Sequence, residues 1–298
     1  MITLPSEQGT RNPERRGLKK GLYLIPSVFT AANIGMGFYA VMAALRAFQL
    51  IAGADISQAA AYLDNGAKAI VWAVLFDMLD GRIARMTKTT TEIGVQLDSI
   101  ADVVTFGLAP AVLAYVWGYG AALSEGTDLY NVALFISFMY LMCGAFRLAR
   151  FNVQASRPRI LAAGTIKVDK KSFVGLPIPV AGGLVAAIVH FAPTPLIGYG
   201  ADRAQLYSVL MIVLMGFLSV LMVSTMRFSS FKTVGTSIRS MRTVILALGM
   251  LMLIFLFSRY VLLAIVIAYI LHGLLSRFAG LFKRRPDLRG SKVEAKEI

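Results

Sequence analysis

The chain has 298 residues, of which 57% are hydrophobic and 15% charged, with a mean hydropathy of +0.68. Water-soluble domains carry about 25% charged residues, so a single soluble core, a disordered chain and a collagen-like chain are excluded, and with Cys143 as the only cysteine so is a disulfide scaffold. The 30 Lys and Arg outnumber the 16 Asp and Glu for a net charge of +14, but the cations lie in short stretches between apolar runs, which marks membrane sidedness rather than nucleic-acid binding.

A hydrocarbon core about 30 Å thick needs roughly 20 residues of apolar helix. The chain starts with a polar stretch that lacks the apolar core of a signal peptide. Apolar runs then fall near residues 27–47, 67–85, 101–121, 130–149, 174–192, 205–225, 243–257 and 260–276. Residues 50–66 read as an interfacial segment feeding the second run. The seventh run is short and meets the eighth through Ser258-Arg259-Tyr260, whose charge suits a tight turn at the far interface. The expectation is an all-α, polytopic membrane protein of about eight spans. One transmembrane domain, 23–277, lies between a basic N-terminal segment, 1–22, and a basic tail, 278–298.

The basic residues test that count. With the N-terminus inside, 26 of the 30 Lys and Arg fall on cytoplasmic segments, leaving Arg46, Lys68, Arg203 and Arg259 outside. Such alternation predicts cytoplasmic termini and a multi-pass protein of the cell (inner) membrane. No internal repeat of the kind many transporters carry is visible.

Ionisable side chains at membrane depth cost about 2.5–3.5 kcal/mol each on insertion scales. Asp77 and Asp80 nevertheless share one helix face at the cytoplasmic end of the second run, and Asp98 and Asp102 share one at the start of the third. A short connection makes the two helices antiparallel neighbours, so the four carboxylates face one another just inside the cytoplasmic surface. Crowded carboxylates repel, and one or two divalent cations remove the conflict. Oxygen ligands without nearby His or Cys favour Mg²⁺ or Mn²⁺ over Zn²⁺. Gly81, Ala84 and Gly94 leave room for a bulky anion, and Arg85 offers a forked partner to phosphate. Paired metals that hold phosphate oxygens recur in displacement at phosphorus. The competing readings are Asp side chains that merely reach water, and a transporter's cation path, which would place carboxylates nearer mid-membrane.

The run Asp77-x2-Asp80-Gly81-x2-Ala84-Arg85-x8-Gly94-x3-Asp98-x3-Asp102 matches at all eight fixed positions the signature of the CDP-alcohol phosphotransferases, a family this chain resembles. The segments Asp98 to Asp102 continuing into Phe106 to Ala111, Phe146 to Asn152 and Phe173 to Pro179 look like its membrane-embedded bacterial phosphatidylserine synthases. The resemblance implies transfer of a phosphatidyl group from CDP-diacylglycerol to the hydroxyl of L-serine, with CMP leaving. It makes Asp77, Asp80, Asp98 and Asp102 metal ligands and Asp102 also the general base. It places Gly81, Ala84, Arg85 and Gly94 at the nucleotide diphosphate, with Thr30 and Asn33 beside the nucleotide, although Ser27 stands where the family's entry helix has Asn. It also implies a homodimer. Another acceptor, such as glycerol 3-phosphate, choline or an inositol, is the alternative within the family.

A serine carboxylate needs a cationic partner, and Arg147 and Arg150, with Asn152 beyond, are the candidates. Lys170 and Lys171 and the basic tail are read as contacts to lipid headgroups. His190 and His272 are read as packed or hydrogen-bonded core residues, and Gly35 and Gly37 as sites of close helix packing.

Overall fold

The computed structural model describes residues 14–87, 92–156, 172–224, 227–229 and 258–282. The seventh apolar run, Lys170, Lys171 and the basic tail beyond 282 lie outside the described residues.

Helix α1 (Glu14–Ala52) begins within the stretch expected to be a separate basic segment. It turns through Gly53 and Ala54, the latter at φ 61°, into α2 (Ile56–Thr87). Asp55 caps α2, its Oδ1 accepting the Gln58 N–H at 3.0 Å. The expected interfacial segment is therefore the first part of α2 itself, because the Ala-rich stretch after Asp55 continues the helix without a break. The two helices pack through small side chains. Ala40, Ala43, Ala44 and Ala47 of α1 and Ala59, Ala67 and Ala73 of α2 are buried, and at Gly66 a Cβ would lie 3.3 Å from the Ala40 carbonyl oxygen. Such surfaces let backbones approach closely where burial of apolar area gives no driving force between helices.

The third span is one rod of four pieces: α3 (Glu92–Asp102), a π segment (Val103–Leu108), α4 (Ala109–Ala114) and a second π segment (Tyr115–Tyr119). The wider winding is seen in the Ala109 N–H, which reaches back to the Val104 carbonyl. Pro110 has no N–H to offer the Phe106 carbonyl four residues earlier. The Tyr140 hydroxyl of α5 (Asp128–Ser156) donates to that oxygen instead, at 3.0 Å.

The chain continues through β1 (Ser172–Val174), α6 (Ile178–Phe191), α7 (Ala201–Val223), β2 (Arg227–Ser229) and α8 (Ser258–Phe282). The chain is all-α as expected, and among the described residues β1 and β2 form a three-residue antiparallel pairing between helices. Gly175, at φ 81°, turns the chain from β1 toward α6 where a Cβ would lie 2.3 Å from the Met222 carbonyl oxygen. Leu176 N–H then bonds Leu221 O at 3.0 Å, which ties α6 to the end of α7.

Among the described residues, five helices are long and apolar enough to cross a membrane: Val28–Ala52, Ile93–Tyr119, Asp128–Val153, Ala201–Val223 and Ser258–Leu275. The chain is a multi-pass membrane protein. The expected count of eight spans is not reached among the described residues. α6 is apolar but has 14 residues, and α2 carries Asp64, Lys68, Asp77 and Asp80 along its length.

A polar brace joins three helices at the end of α2 away from Asp77. His190 Nδ1 lies 2.5 Å from Asp64 Oδ1 and Nε2 lies 2.9 Å from Ser258 Oγ. Lys68 Nζ meets the other Asp64 oxygen at 2.7 Å. The carboxylate orients the ring as an Nδ1–H donor, so His190 is the hydrogen-bonded core residue its apolar helix suggested. His272 is exposed on α8. Of the two glycines read as packing sites, Gly37 abuts Thr105 of the first π segment, whereas Gly35 has open space.

Candidate active site

Two turns of α2 and two of α3 carry the acidic signature. Asp77, Asp98 and Asp102 each offer an oxygen, and the three oxygens lie within 4.8 Å of one another. The meeting of the two helices' carboxylates expected from the short connection is thus present for these three. Asp80, Ala84 and Arg85 lie on the last turns of α2, but their side chains fall outside the description. Gly81 and Gly94 lie on exposed surface beside the triad, and neither adds a side chain that would obstruct a ligand.

The cluster is graded in depth. Asp77 and Asp98 are half-buried, while Asp102 is 8% exposed and its Oδ1 has no hydrogen-bond partner. α1 closes the deep side. Thr30 and Asn33 are both buried there, Asn33 lies against Asp102, and its side-chain oxygen and nitrogen also lack partners. The backbone fixes this position, since Thr105 Oγ1, one turn beyond Asp102, donates to the Asn33 carbonyl at 3.0 Å. A buried polar atom without a partner costs about 1–3 kcal/mol. The three such atoms here belong to Asn33 and Asp102, which lie against each other beside the carboxylate cluster.

These residues fit a divalent cation. The donor set consists of carboxylate oxygens, and the deepest of them has an unsatisfied lone pair that a hard cation would occupy. The same cation would offset the mutual repulsion of three carboxylates at this spacing.

Arg147 of α5 also neighbours Asp102. It lies within electrostatic reach of Asp102 and of Tyr269 on α8, and its Nε is buried without a partner. Asn152 faces elsewhere: its Nδ2 donates to Ser99 Oγ at 2.8 Å, and both line a cavity of about 290 Å³ between α3 and α5 with Gln96, Ile100 and Val103. Arg150 is half-buried one turn beyond Arg147. Of the three residues nominated for the acceptor, the structure brings Arg147 to the aspartates. Sequence reasoning passed over Tyr269, whose only signal was a lone hydroxyl in the apolar stretch 261–271.

Residues 23–207 match the family described as CDP-alcohol phosphatidyltransferase. The chain belongs to this family. A protein of Helicobacter pylori (strain ATCC 700392 / 26695) named CDP-diacylglycerol–serine O-phosphatidyltransferase is 32% identical over 235 residues, covering 77% of this chain and 81% of its own. A Bacillus subtilis (strain 168) protein of the same name is 29% identical over 211 residues, 70% of this chain and 91% of its own. One from Methanocaldococcus jannaschii is 39% identical over 125 residues, covering 42% of this chain and 50% of its own. Membership makes the chain a transferase of the CDP-alcohol class and sets aside the transporter alternative. The matched region contains the whole carboxylate cluster, Asn33 and Arg147, and ends before α8.

Proposed function

We propose that this protein is a metal-dependent phosphatidylserine synthase, transferring the phosphatidyl group of CDP-diacylglycerol to the hydroxyl of L-serine and releasing CMP. The observation that carries it is the placement of Asp102, buried in one cluster with Asp77 of α2 and Asp98 of α3 and within electrostatic reach of an arginine. The relatives' names support the choice of serine.

Asp77, Asp98 and Asp102, with Asp80, would hold Mg²⁺ or Mn²⁺, two per site. Bound there, the cation would bind the diphosphate and neutralise charge on the departing CMP. The protein's own groups do the rest. Thr30 and Asn33 bind the nucleotide from α1, and Gly81, Ala84, Arg85 and Gly94 form its phosphate-facing surface. Arg147 holds the serine carboxylate, which sets the hydroxyl toward phosphorus and toward Asp102. Asp102 takes the hydroxyl proton as the new P–O bond forms and the bond to CMP breaks. Arg150, one turn beyond Arg147 on α5, stands at the cytoplasmic edge of the serine site. The carboxylates lie at one end of their helices, so the diacylglycerol chains stay in the bilayer while the diphosphate sits at the interface. With the basic residues placed as in the charge alternation, that interface is the cytoplasmic face of the inner membrane, and the enzyme works as a homodimer.

The test is CMP release by the purified, detergent-solubilised enzyme from CDP-diacylglycerol, with serine, glycerol 3-phosphate, choline or inositol as acceptor. Serine-dependent release that requires Mg²⁺ or Mn²⁺ and stops on chelation is expected. Release driven by another alcohol and not by serine would overturn the assignment.

A further inference from the structure

The cavity of about 290 Å³ between the third span and α5 is distinct from the carboxylate cluster but is built on the same helices. Ser99 meets Asn152 at one level and Phe106 meets Tyr140 at another, so the third span and α5 run antiparallel. Near Phe106 they pack tightly: a Cβ on Gly107 would lie 2.9 Å from Leu141 Cδ1. Toward the carboxylate end they leave a wedge. Gln96, Ser99 and Asn152 form its polar end, and the rest of its lining is aliphatic, with Ile100, Val104 and Leu148 among it. Ile100 and Ala149 are exposed and border its open side.

The order of residues ties this wedge to the chemistry. Ser99 follows Asp98, Val103 follows Asp102 and Leu148 follows Arg147. One residue is about 100° of helical turn, and on antiparallel helices that step rotates the two faces toward the same side. The wedge therefore opens on the face of the third span next to the one that presents Asp98 and Asp102, with its polar end level with Asp98.

What fills it follows from the surroundings. An aliphatic recess open to the bilayer takes hydrocarbon, since water there would find too few polar partners. The polar end carries amide and hydroxyl groups without a charge, which suits the oxygens of a carboxylic ester rather than a phosphate. From Gln96 to Val104 is about 12 Å of helix, enough for the first stretch of one alkyl chain. An ester followed by an alkyl chain is the part of a diacylglycerol that begins a few bonds from the phosphorus.

We infer that the wedge between the third span and α5 seats one acyl chain of the lipid donor, with the ester at Gln96, Ser99 and Asn152 and the chain along Ile100, Val104 and Leu148. This rests on the reading of the donor as CDP-diacylglycerol and adds a site for its lipid half. Hydrocarbon that moves from bilayer to wedge gains no hydrophobic free energy. The wedge therefore orients the donor more than it attracts it, by fixing the direction in which the diacylglycerol leaves the phosphorus.

The experiment uses the full-length enzyme in mixed micelles of detergent and phosphatidylcholine with Mg²⁺. CDP-diacylglycerol bearing a diazirine in the first half of one acyl chain is photolysed on the unmodified enzyme, and the labelled peptides are mapped by mass spectrometry. Label is expected on the stretches 100–104 and 145–149, well above that left by phosphatidylcholine with the same diazirine chain, and excess unlabelled CDP-diacylglycerol should displace it. Equal labelling by the two lipids, which marks a recess for bulk lipid, would overturn the inference, as would absence of label from both stretches or failure of the displacement. A variant supplies the kinetic arm. Ala149→Phe fills the open side from an exposed position, so the core is spared. It should raise the KM of the dioleoyl donor about fivefold while the dibutanoyl donor, whose chains end near the polar end, and serine change less than twofold. Val132→Phe, exposed on the same helix away from the wedge, is the control. An equal effect on both donors, or none on the dioleoyl donor, would also overturn the inference. The photolabelling needs no acceptor, so displaceable label without serine-dependent CMP release would sink the serine synthase reading alone.

Discussion

Replacing Gly37 by alanine tests the contact that holds α1 against the catalytic rod. A Cβ at residue 37 would stand 2.5 Å from Thr105 Oγ1, 2.8 Å from Thr105 Cα and 3.0 Å from Thr105 Cβ. The hydroxyl can rotate away, at the loss of its hydrogen bond to the Asn33 carbonyl, but the Cα cannot. Carbon atoms pack at about 3.5–4.0 Å, so α1 and the π segment must separate by roughly 0.7 Å. Overpacking of this kind costs about 1–3 kcal/mol and the lost hydrogen bond about 0.5–1.5 kcal/mol. The intrinsic helix gain of Gly→Ala returns about 0.5–1 kcal/mol. The net is a loss of about 1–3 kcal/mol. The separation also falls between Asn33 and Asp102, and a misplacement near 1 Å can cost up to about 100-fold in rate. Gly35→Ala is the matched control, because its Cβ meets nothing within 4 Å and only the helix gain remains. The assay is thermal inactivation in detergent, followed by CMP release at saturating substrates. Gly37→Ala should inactivate at lower temperature and turn over at least tenfold more slowly, while Gly35→Ala matches or exceeds the parent. If the two variants behave alike, the close approach of α1 to Thr105 does not set the site.

Two further outcomes follow from the buried polar groups. Asp102→Asn keeps the volume and the neighbours of Asp102 but removes both the charge and the basic oxygen. Turnover should fall below a thousandth of the parent's, since general-base removal alone is worth about 10²–10⁴-fold, while CDP-diacylglycerol still protects the enzyme against heat; substantial residual turnover would remove Asp102 from the base role. At the brace, His190→Ala should destabilise far more than Lys68→Ala. His190 is 3% exposed and leaves Asp64 short of a buried partner, a loss of about 3 kcal/mol, whereas Lys68 is 48% exposed and its pair is worth about 1 kcal/mol or less. Equal losses in heat stability would contradict this ranking.

The carboxylate cluster was legible because its logic is local. Spacings of three and four residues put Asp77 with Asp80, and Asp98 with Asp102, on single helix faces, and four connecting residues keep the two pairs within reach of each other. Arg147 was legible for the opposite reason, as a charge with no excuse among Phe146, Leu148 and the apolar run before them. What escaped depended on pairs far apart in the chain. Asp64 and His190 are 126 residues apart, and no periodicity relates them. The polar residues Asp64 and Lys68 interrupt the hydropathy of α2, and their partners in the brace, His190 above all, lie too far along the chain to be read from it.

The winding of the third span was hidden more deeply, and it bears on the site. A π turn takes in one residue more than an α turn, so the face that carries Asp98 and Asp102 does not continue onto the residues a regular helix would place above them. Thr105 is thereby free to bond α1 and Phe106 to bond α5, and the carboxylates keep the surface between. Pro110 makes the irregularity affordable only because Tyr140 replaces the missing donor. A single hydroxyl on α5 thus supports the backbone that carries the base, about two turns before Arg147 on the same helix. Binding of the acceptor and placement of the base are in this way assigned to one helix, α5, and a distortion of α5 should disturb both together.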